Sequence, residues 1–506
     1  MSNKLLDRRH FIKGLGAAGV AMTTPALASS INSDGIKWDE TIEIAIIGSG
    51  FAGLAAAIEA TRQGCKSVTV FEKMPVFGGN STINGGLTAI PDSPLQKEMG
   101  IKDSIEAMVA DQIKSGRGVA DVELLRHVAT HANEALQLTL DAGVEFKPKL
   151  EHLGGHSVPR SYQTKVNCGA GVIRPLTNEC RKIGVKLKNR CKFESFIIND
   201  EGGIEGVKLR KNHYFAENIA GDEVFIRVSR GVIMACGGFA QNIELRMAQD
   251  PTLTDEVGCT NHKGATGEGM LEMFRHGAIP VHMAHIQSGP WASPDEGSIG
   301  VVPVYAVLNF PTSIAIDKLT GRRFMNELAD RKTRADAELL RRDKQGNPLP
   351  GILLTGKANA KKKSKLHMDK VLQNKVGWEF DTLDALAEHF NIPLQPLKLQ
   401  VEEWNNYVRN NKDKQFGKPM GLVNGQTIEA PYLAVNLWPK VHYCQGGVKI
   451  NHDAQVIDSL TNKPISGLYA AGEVVGGLHG VSRLGSTSST ECLVMGMTAA
   501  RSAMKA

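Results

Sequence analysis

Thr41-Ile42-Glu43-Ile44-Ala45-Ile46-Ile47-Gly48-Ser49-Gly50-Phe51-Ala52-Gly53 decides the fold. The β-branched apolar run up to Ile47 predicts a strand buried on both faces, as in a parallel sheet. Gly48, Gly50 and Gly53 follow without a spacer, and Leu54 to Gln63 then reads as a helix closed by Gly64. A second strand, Ser67 to Phe71, ends at Glu72, about twenty residues after the glycines. A bare GxGxxG says little. Wedged between strand and helix, with an acid after the next strand, it is a dinucleotide-binding fingerprint. The glycines and the small Ala52 let a pyrophosphate approach the helix N-terminus, and Glu72 is placed to accept hydrogen bonds from a ribose. The fold class expected is α/β.

Composition agrees with a protein built around a bound group. Glycine accounts for 53 of 506 residues, above the usual share of about 7%, and shows no period. With 42% hydrophobic and 22% charged residues, disorder and collagen-like structure are excluded, and the length suits two or three domains. Lys4, Arg8, Arg9 and Lys13 against Asp7 place half of the formal +6 in residues 1–28. The only later basic run, Lys361-Lys362-Lys363, reads as a solvated loop, so nucleic acid is not an expected partner. No stretch has the eighteen or so apolar residues of a membrane span. The eight cysteines form neither CxxC nor CxxCH, which predicts no zinc knuckle, no c-type haem in this chain and no disulfide framework. No metal site is expected.

The chain opens with an address. Arg8-Arg9-His10-Phe11-Ile12-Lys13, a short Gly/Ala-rich stretch and Ala26-Leu27-Ala28 look like a twin-arginine signal peptide over residues 1–28. Such signals export proteins already folded around a cofactor, so the periplasm is the expected location.

Glu72-Lys73 leads into Gly78-Gly79-Asn80-Ser81 and Asn84-Gly85-Gly86, a Gly-rich loop that resembles the flavin-binding loop of the fumarate reductase and succinate dehydrogenase flavoprotein family. Further motifs follow in that family's order: Val232 to Phe239 with Gly237-Gly238, Ala265-Thr266-Gly267-Glu268, and Tyr469-Ala470-Ala471-Gly472-Glu473 near the C-terminus. The resemblance runs from about residue 40 to 500. It implies noncovalent FAD, with Glu473 at the ribityl chain. It also implies a discontinuous Rossmann-like FAD-binding domain, residues 37–283 and 444–506, with an inserted α+β capping domain at 284–443 that closes over the flavin.

Soluble periplasmic reductases of fumarate, methacrylate and urocanate are the most similar branch. They reduce an activated C=C bond with hydride from flavin N5 and a proton from an arginine. Arg323-Phe324-Met325-Asn326-Glu327 reproduces the motif ahead of that arginine, which puts Arg331 at the donor position. Gly480-Val481-Ser482-Arg483-Leu484-Gly485 resembles the stretch whose arginine clamps a substrate carboxylate, so Arg483 inherits that role. The sites for a second carboxylate have changed: a histidine position is Gly289, another is Tyr443 beside His442, and a Thr-Glu region is apolar around Tyr305. A dicarboxylate would leave one charge unpaired. An α,β-unsaturated monocarboxylate, such as an acrylate, methacrylate or aryl-acrylate, is the expected substrate.

The family's proton relay loses its glutamate, with Tyr305, Glu327 and Asp330 as candidate replacements. His156 and Arg160 are weaker site candidates. Electrons are expected from a separate periplasmic c-type cytochrome. The alternatives are a fumarate reductase proper, a dehydrogenase of the 3-ketosteroid type, which uses active-site tyrosines as Tyr305 and Tyr443 suggest, and an electron-transfer subunit without substrate chemistry.

Overall fold

The computed structural model describes residues 31–506; the twin-arginine segment lies outside them. Five strands form the parallel half of the main sheet, in the order Lys186–Lys188, Val68–Phe71, Glu40–Ile47, Asp222–Met234, Pro464–Ala470. Ile44, Ala45, Ile46, Val232 and Ile233 are fully buried within it, as strands covered on both faces require. The early half of Asp222–Met234 also pairs antiparallel with Ile204–Lys211, which pairs with Cys191–Ile198. The last strand of the chain therefore lies beside one from its middle, and the FAD-type body is discontinuous. It begins earlier than residue 37, because Ile31–Asn32 already joins the edge strand Cys191–Ile198.

The helix Phe51–Arg62 lies under the C-terminal helix Thr487–Lys505. Their backbones touch at Gly496, where a Cβ would meet the Ala52 carbonyl oxygen at 2.3 Å. This contact fixes the helix that starts the dinucleotide motif.

The inserted segment builds its own four-stranded antiparallel sheet, in the order Ile314–Ile316, Gly351–Gly356, Tyr432–Leu437, Trp378–Phe380. Alternation along one strand feeds two cores: Leu353 packs with Tyr305 and Phe310, while Ile352 and Leu354 pack with Leu397 and Trp404. The amphipathic patterns give the helices Leu383–Phe390 and Leu394–Arg409. The basic run is a correction. Lys361 to Lys363 lie in the helix Lys357–Gln373, solvated but not a loop. Two antiparallel strands, Ile286–Gly289 and Lys440–Cys444, carry the chain into and out of this cap. Among the described residues no helix is long and apolar enough to cross a membrane.

Candidate active site

The glycine loop is shaped by close approach. Gly48 has φ +107°, and a Cβ there would lie 2.2 Å from the Ala235 carbonyl oxygen. Around this turn the side chains lock one another. Ser49 Oγ donates to Glu72 Oε2 at 2.6 Å and accepts from the Gly78 N–H, while the Met74 N–H donates to Glu72 Oε1. Ser81 Oγ accepts from the Phe51 N–H at the helix start. Lys73 bridges Thr266 and Glu268, both at 2.6 Å, just ahead of and just inside the helix that Gly267 opens.

Glu473 organises the opposite end. Its Oε1 accepts from the Cys444 N–H at 2.9 Å, its Oε2 accepts from Asn80 Nδ2 at 3.1 Å, and a Cβ on Gly238 would strike Oε1. By contrast, Gly79 and Gly237, both at positive φ, face space in which an added Cβ meets nothing within 4 Å. Gly85 and Gly86 form the turn after Asn84, whose Oδ1 accepts the Gly86 N–H. A groove walled by glycine backbone, with an acid at each end and a lysine beside it, fits the extended form of FAD.

Next to the Glu473 end two arginines converge. Arg483 is buried, donates its backbone N–H to Gln287 Oε1 at 2.7 Å, and lies over the Tyr443 ring at 4.8 Å. Its Nε has no protein partner. Burial lowers its pKa. Arg331 opens the helix Arg331–Leu339, capped by Asp330, whose side chain accepts from the Thr333 N–H. Its buried Nη1 also lacks a partner. Burial, then the nearby Arg483 and Arg334 charges, pull its pKa down to about 9. Two desolvated cations sharing a space without a carboxylate of their own make an anion site.

The far wall is aromatic. Trp291 covers Gly289 and meets His442 edge-on at 5.0 Å, and Tyr443 meets His479 edge-on at 5.5 Å. His442 Nδ1 is hydrogen-bonded to Thr260 Oγ1 at 2.8 Å. Burial first, then Arg483, keep both His442 and His479 neutral, the latter with a pKa pushed down to about 3.

The profile of the FAD binding domain family matches residues 43–489. The chain belongs to this family. Within the flavoprotein family, the acrylate reductase flavoprotein subunit of Shewanella woodyi is 66% identical over the full length of both chains. A urocanate reductase of Eggerthella lenta is 32% identical over 91% of this chain and 74% of its own. The open conformation of a flavocytochrome c3 fumarate reductase superposes with a TM-score of 0.77, at 28% identity over 92% of this chain and 79% of that one. FAD is the cofactor of this flavoprotein.

Not every predicted residue faces its cleft. Tyr305 is fully buried in the cap core, its hydroxyl without a protein partner. Glu327 is held by Arg323 at 2.7 and 2.8 Å, by Lys418 at 3.1 Å and by the Ala315 N–H, all buried, so it belongs to a structural ion network. Arg160 is neutralised by Asp103 and Asp111. His156 accepts from Arg160 at Nδ1, which leaves Nε2 to donate to the Gly485 carbonyl oxygen at 2.8 Å. This pair braces the Arg483 loop from outside.

Sequence reasoning missed Gln287, His479, Arg117 and Glu491. Gln287 sits opposite Tyr443 in the strand pair and orients Arg483. Arg117 bonds Asp330 across the cleft. His479 directly precedes the Gly480 to Gly485 stretch, yet nothing local marks its ring as part of the wall.

Proposed function

We propose that this flavoprotein reduces the C=C bond of an α,β-unsaturated monocarboxylate of the acrylate, methacrylate or aryl-acrylate type. The observation that carries this reading is the pairing of two arginines, Arg483 with its buried Nε and Arg331 with its buried Nη1 lacking a protein partner, with an aromatic wall. One carboxylate matches the arginines, and among the described residues the opposite wall offers Trp291, Tyr443 and the neutral His442 and His479 in place of a second cation. The 66% identity to a protein named acrylate reductase flavoprotein subunit supports the same class.

The Gly48 loop, Glu72, Asn80 and Glu473 would hold FAD noncovalently, and the reduced cofactor would supply the hydride. Arg483, fixed by Gln287 and stacked on Tyr443, grips the carboxylate and draws electron density from the double bond. Arg331 gives a proton to the carbon next to the carboxylate. Guanidinium is ordinarily too weak an acid for this. Burial and the neighbouring positive charges make it a better one, which is why a pKa of about 9 matters here. Trp291, Tyr443 and the neutral His442 exclude water and leave room only for an uncharged tail.

A dicarboxylate places its second charge against Trp291, and a neutral steroid leaves both arginines unpaired in the dark of the site. Fumarate reduction and steroid dehydrogenation are therefore disfavoured. Residues 1–28 support export by the twin-arginine route, and a periplasmic c-type cytochrome is the proposed electron donor. The test is dye-linked turnover: FAD-loaded protein with reduced viologen, offered fumarate, acrylate, methacrylate, cinnamate, urocanate and a ketosteroid. Oxidation of the dye with monocarboxylic enoates but not fumarate is expected. Strong fumarate turnover, or steroid oxidation with an electron acceptor, overturns the reading.

A further inference from the structure

If Arg331 gives up a proton each turnover, something must return it, and two nearby acids are already engaged. Glu327 is locked to Arg323 and Lys418. Asp330 caps the helix and bonds Arg117. The helix Arg331–Leu339 itself presents another arrangement. Arg331, Arg334 and Glu338 stand at i, i+3 and i+7, hence on one face, spanning about 10 Å along the axis.

Each of the three has a buried polar atom with no protein partner: Arg331 Nη1, Arg334 Nε and both carboxyl oxygens of Glu338. Glu338 is fully buried. Arg334 donates from Nη1 to the Glu327 carbonyl oxygen at 3.2 Å, and its guanidinium lies over Phe310 at 4.7 Å, which holds it between the other two. Burial raises the Glu338 pKa well above the ordinary range, with Arg334 opposing, so the carboxyl is kept protonated. For packing alone an apolar side chain would serve better at this position. The stripe runs from the cleft towards Leu340, which is 71% exposed.

We propose that Glu338 and Arg334 form the proton line that recharges Arg331. The proposal rests on the enoate-reductase reading. In one turnover the β-carbon receives hydride, carrying both electrons, from the reduced flavin. An Arg331 N–H bond breaks as the C–H bond at the α-carbon forms. The neutral guanidine left at Arg331 takes a proton from Arg334, and Arg334 takes one from the Glu338 carboxyl, with water filling the gaps between groups this deep. The Glu338 carboxylate regains its proton from solvent at the Leu340 end. Arg334 and Glu338 act through Arg331 and are positioning residues.

The experiment compares wild type, Glu338→Gln and Glu338→Asp, FAD-loaded, with reduced viologen and acrylate in H2O and D2O. Gln is nearly isosteric with a neutral carboxyl, so E338Q should keep its FAD content and melting temperature. The expected result is a 30- to 100-fold loss of kcat in E338Q with KM within twofold, a larger solvent isotope effect on kcat, and recovery of most activity in E338D. If E338Q fails to load FAD, Arg334→Lys reads the same line through kcat and the isotope effect. Wild-type kcat and isotope effect in these variants overturn the proton line while leaving the enoate reading intact. A wild-type protein that reduces no enoate overturns both.

Discussion

Trp291 fills the space that Gly289 leaves empty: a Cβ on Gly289 would lie 2.6 Å from the indole Cζ2. A side chain at 289 and the indole at 291 are mutually exclusive. The cleft therefore has an aromatic wall because of a glycine two residues away. Gly289→His alone should displace Trp291 and depress all turnover. Gly289→His combined with Trp291→Thr clears the indole and puts a histidine where the family resemblance places one for a second carboxylate, and the fumarate-to-acrylate ratio of kcat/KM should rise at least about tenfold, the equivalent of roughly 1.4 kcal/mol. An unchanged ratio would remove Trp291 as the specificity wall.

Arg483 contributes through both charge and shape. Truncating one partner of a buried, hydrogen-bonded charge pair costs about 2–5 kcal/mol, so Arg483→Met should lower kcat/KM for acrylate by about 30- to several thousand-fold. Arg483→Lys keeps the charge but loses the planar fork and the stacking on Tyr443, and should recover only part of the loss. Flavin absorbance per protein should stay constant in both, which separates substrate anchoring from cofactor loading.

Arg331, the proposed proton donor, should show a different pattern from Arg483, the proposed anchor. Arg331→Ala should retain FAD and still bind a saturated carboxylate through Arg483, while turnover falls by about 10³-fold or more, a loss confined to the transition state. Survival of turnover within tenfold of wild type would assign the proton to another group.

Much of this molecule was legible in the sequence because local chemistry fixes it. The Gly48 turn needs positive φ and a bare Cα against Ala235, so the glycines announced the fold directly. Arg331 and Arg483 were readable because the residues around them follow a family order. Relations made by packing were not readable. Gln287 meets Arg483, 196 residues further along the chain, only when the strand Ile286–Gly289 is folded against the loop that carries Arg483. Glu327 looked free as a proton carrier, and only the return of Asp413 and Lys418 to the Phe324 loop reveals that it is buried in an ion network. The Arg331–Arg334–Glu338 stripe has helical spacing, but its burial depends on the cap's attachment to the body.

The Glu327 network predicts a stability phenotype instead of a chemical one. Glu327→Gln leaves Arg323 with Asp413 alone and the Lys418 ammonium on the Phe310 and Ser313 carbonyl oxygens without a carboxylate, and breaking a buried pair costs about 3–5 kcal/mol. For a domain of this size that lowers the melting temperature by roughly 10 °C. At a temperature where the variant stays folded, kcat for acrylate should remain within about threefold of wild type. A loss of kcat without a loss of stability would return Glu327 to the proton path.

Glu491 gives the clearest dependence on pH. It is fully buried, its Oε1 accepts from the Gly472 N–H at 3.1 Å, and burial lifts its pKa to about 8. Unfolded, it ionises near its ordinary value of 4.5. Between those values unfolding releases a proton, so the unfolded state binds fewer protons and stability falls as pH rises. The destabilisation is absent below the unfolded pKa and reaches roughly 4 kcal/mol at pH 8. Glu491→Gln keeps an oxygen for the Gly472 N–H and cannot ionise. Its melting temperature should match wild type at pH 4.5 and exceed it by a margin that grows steadily up to pH 8. A margin that stays flat with pH would mean that Glu491 is already ionised in the folded protein, with a cation close enough to hold it so.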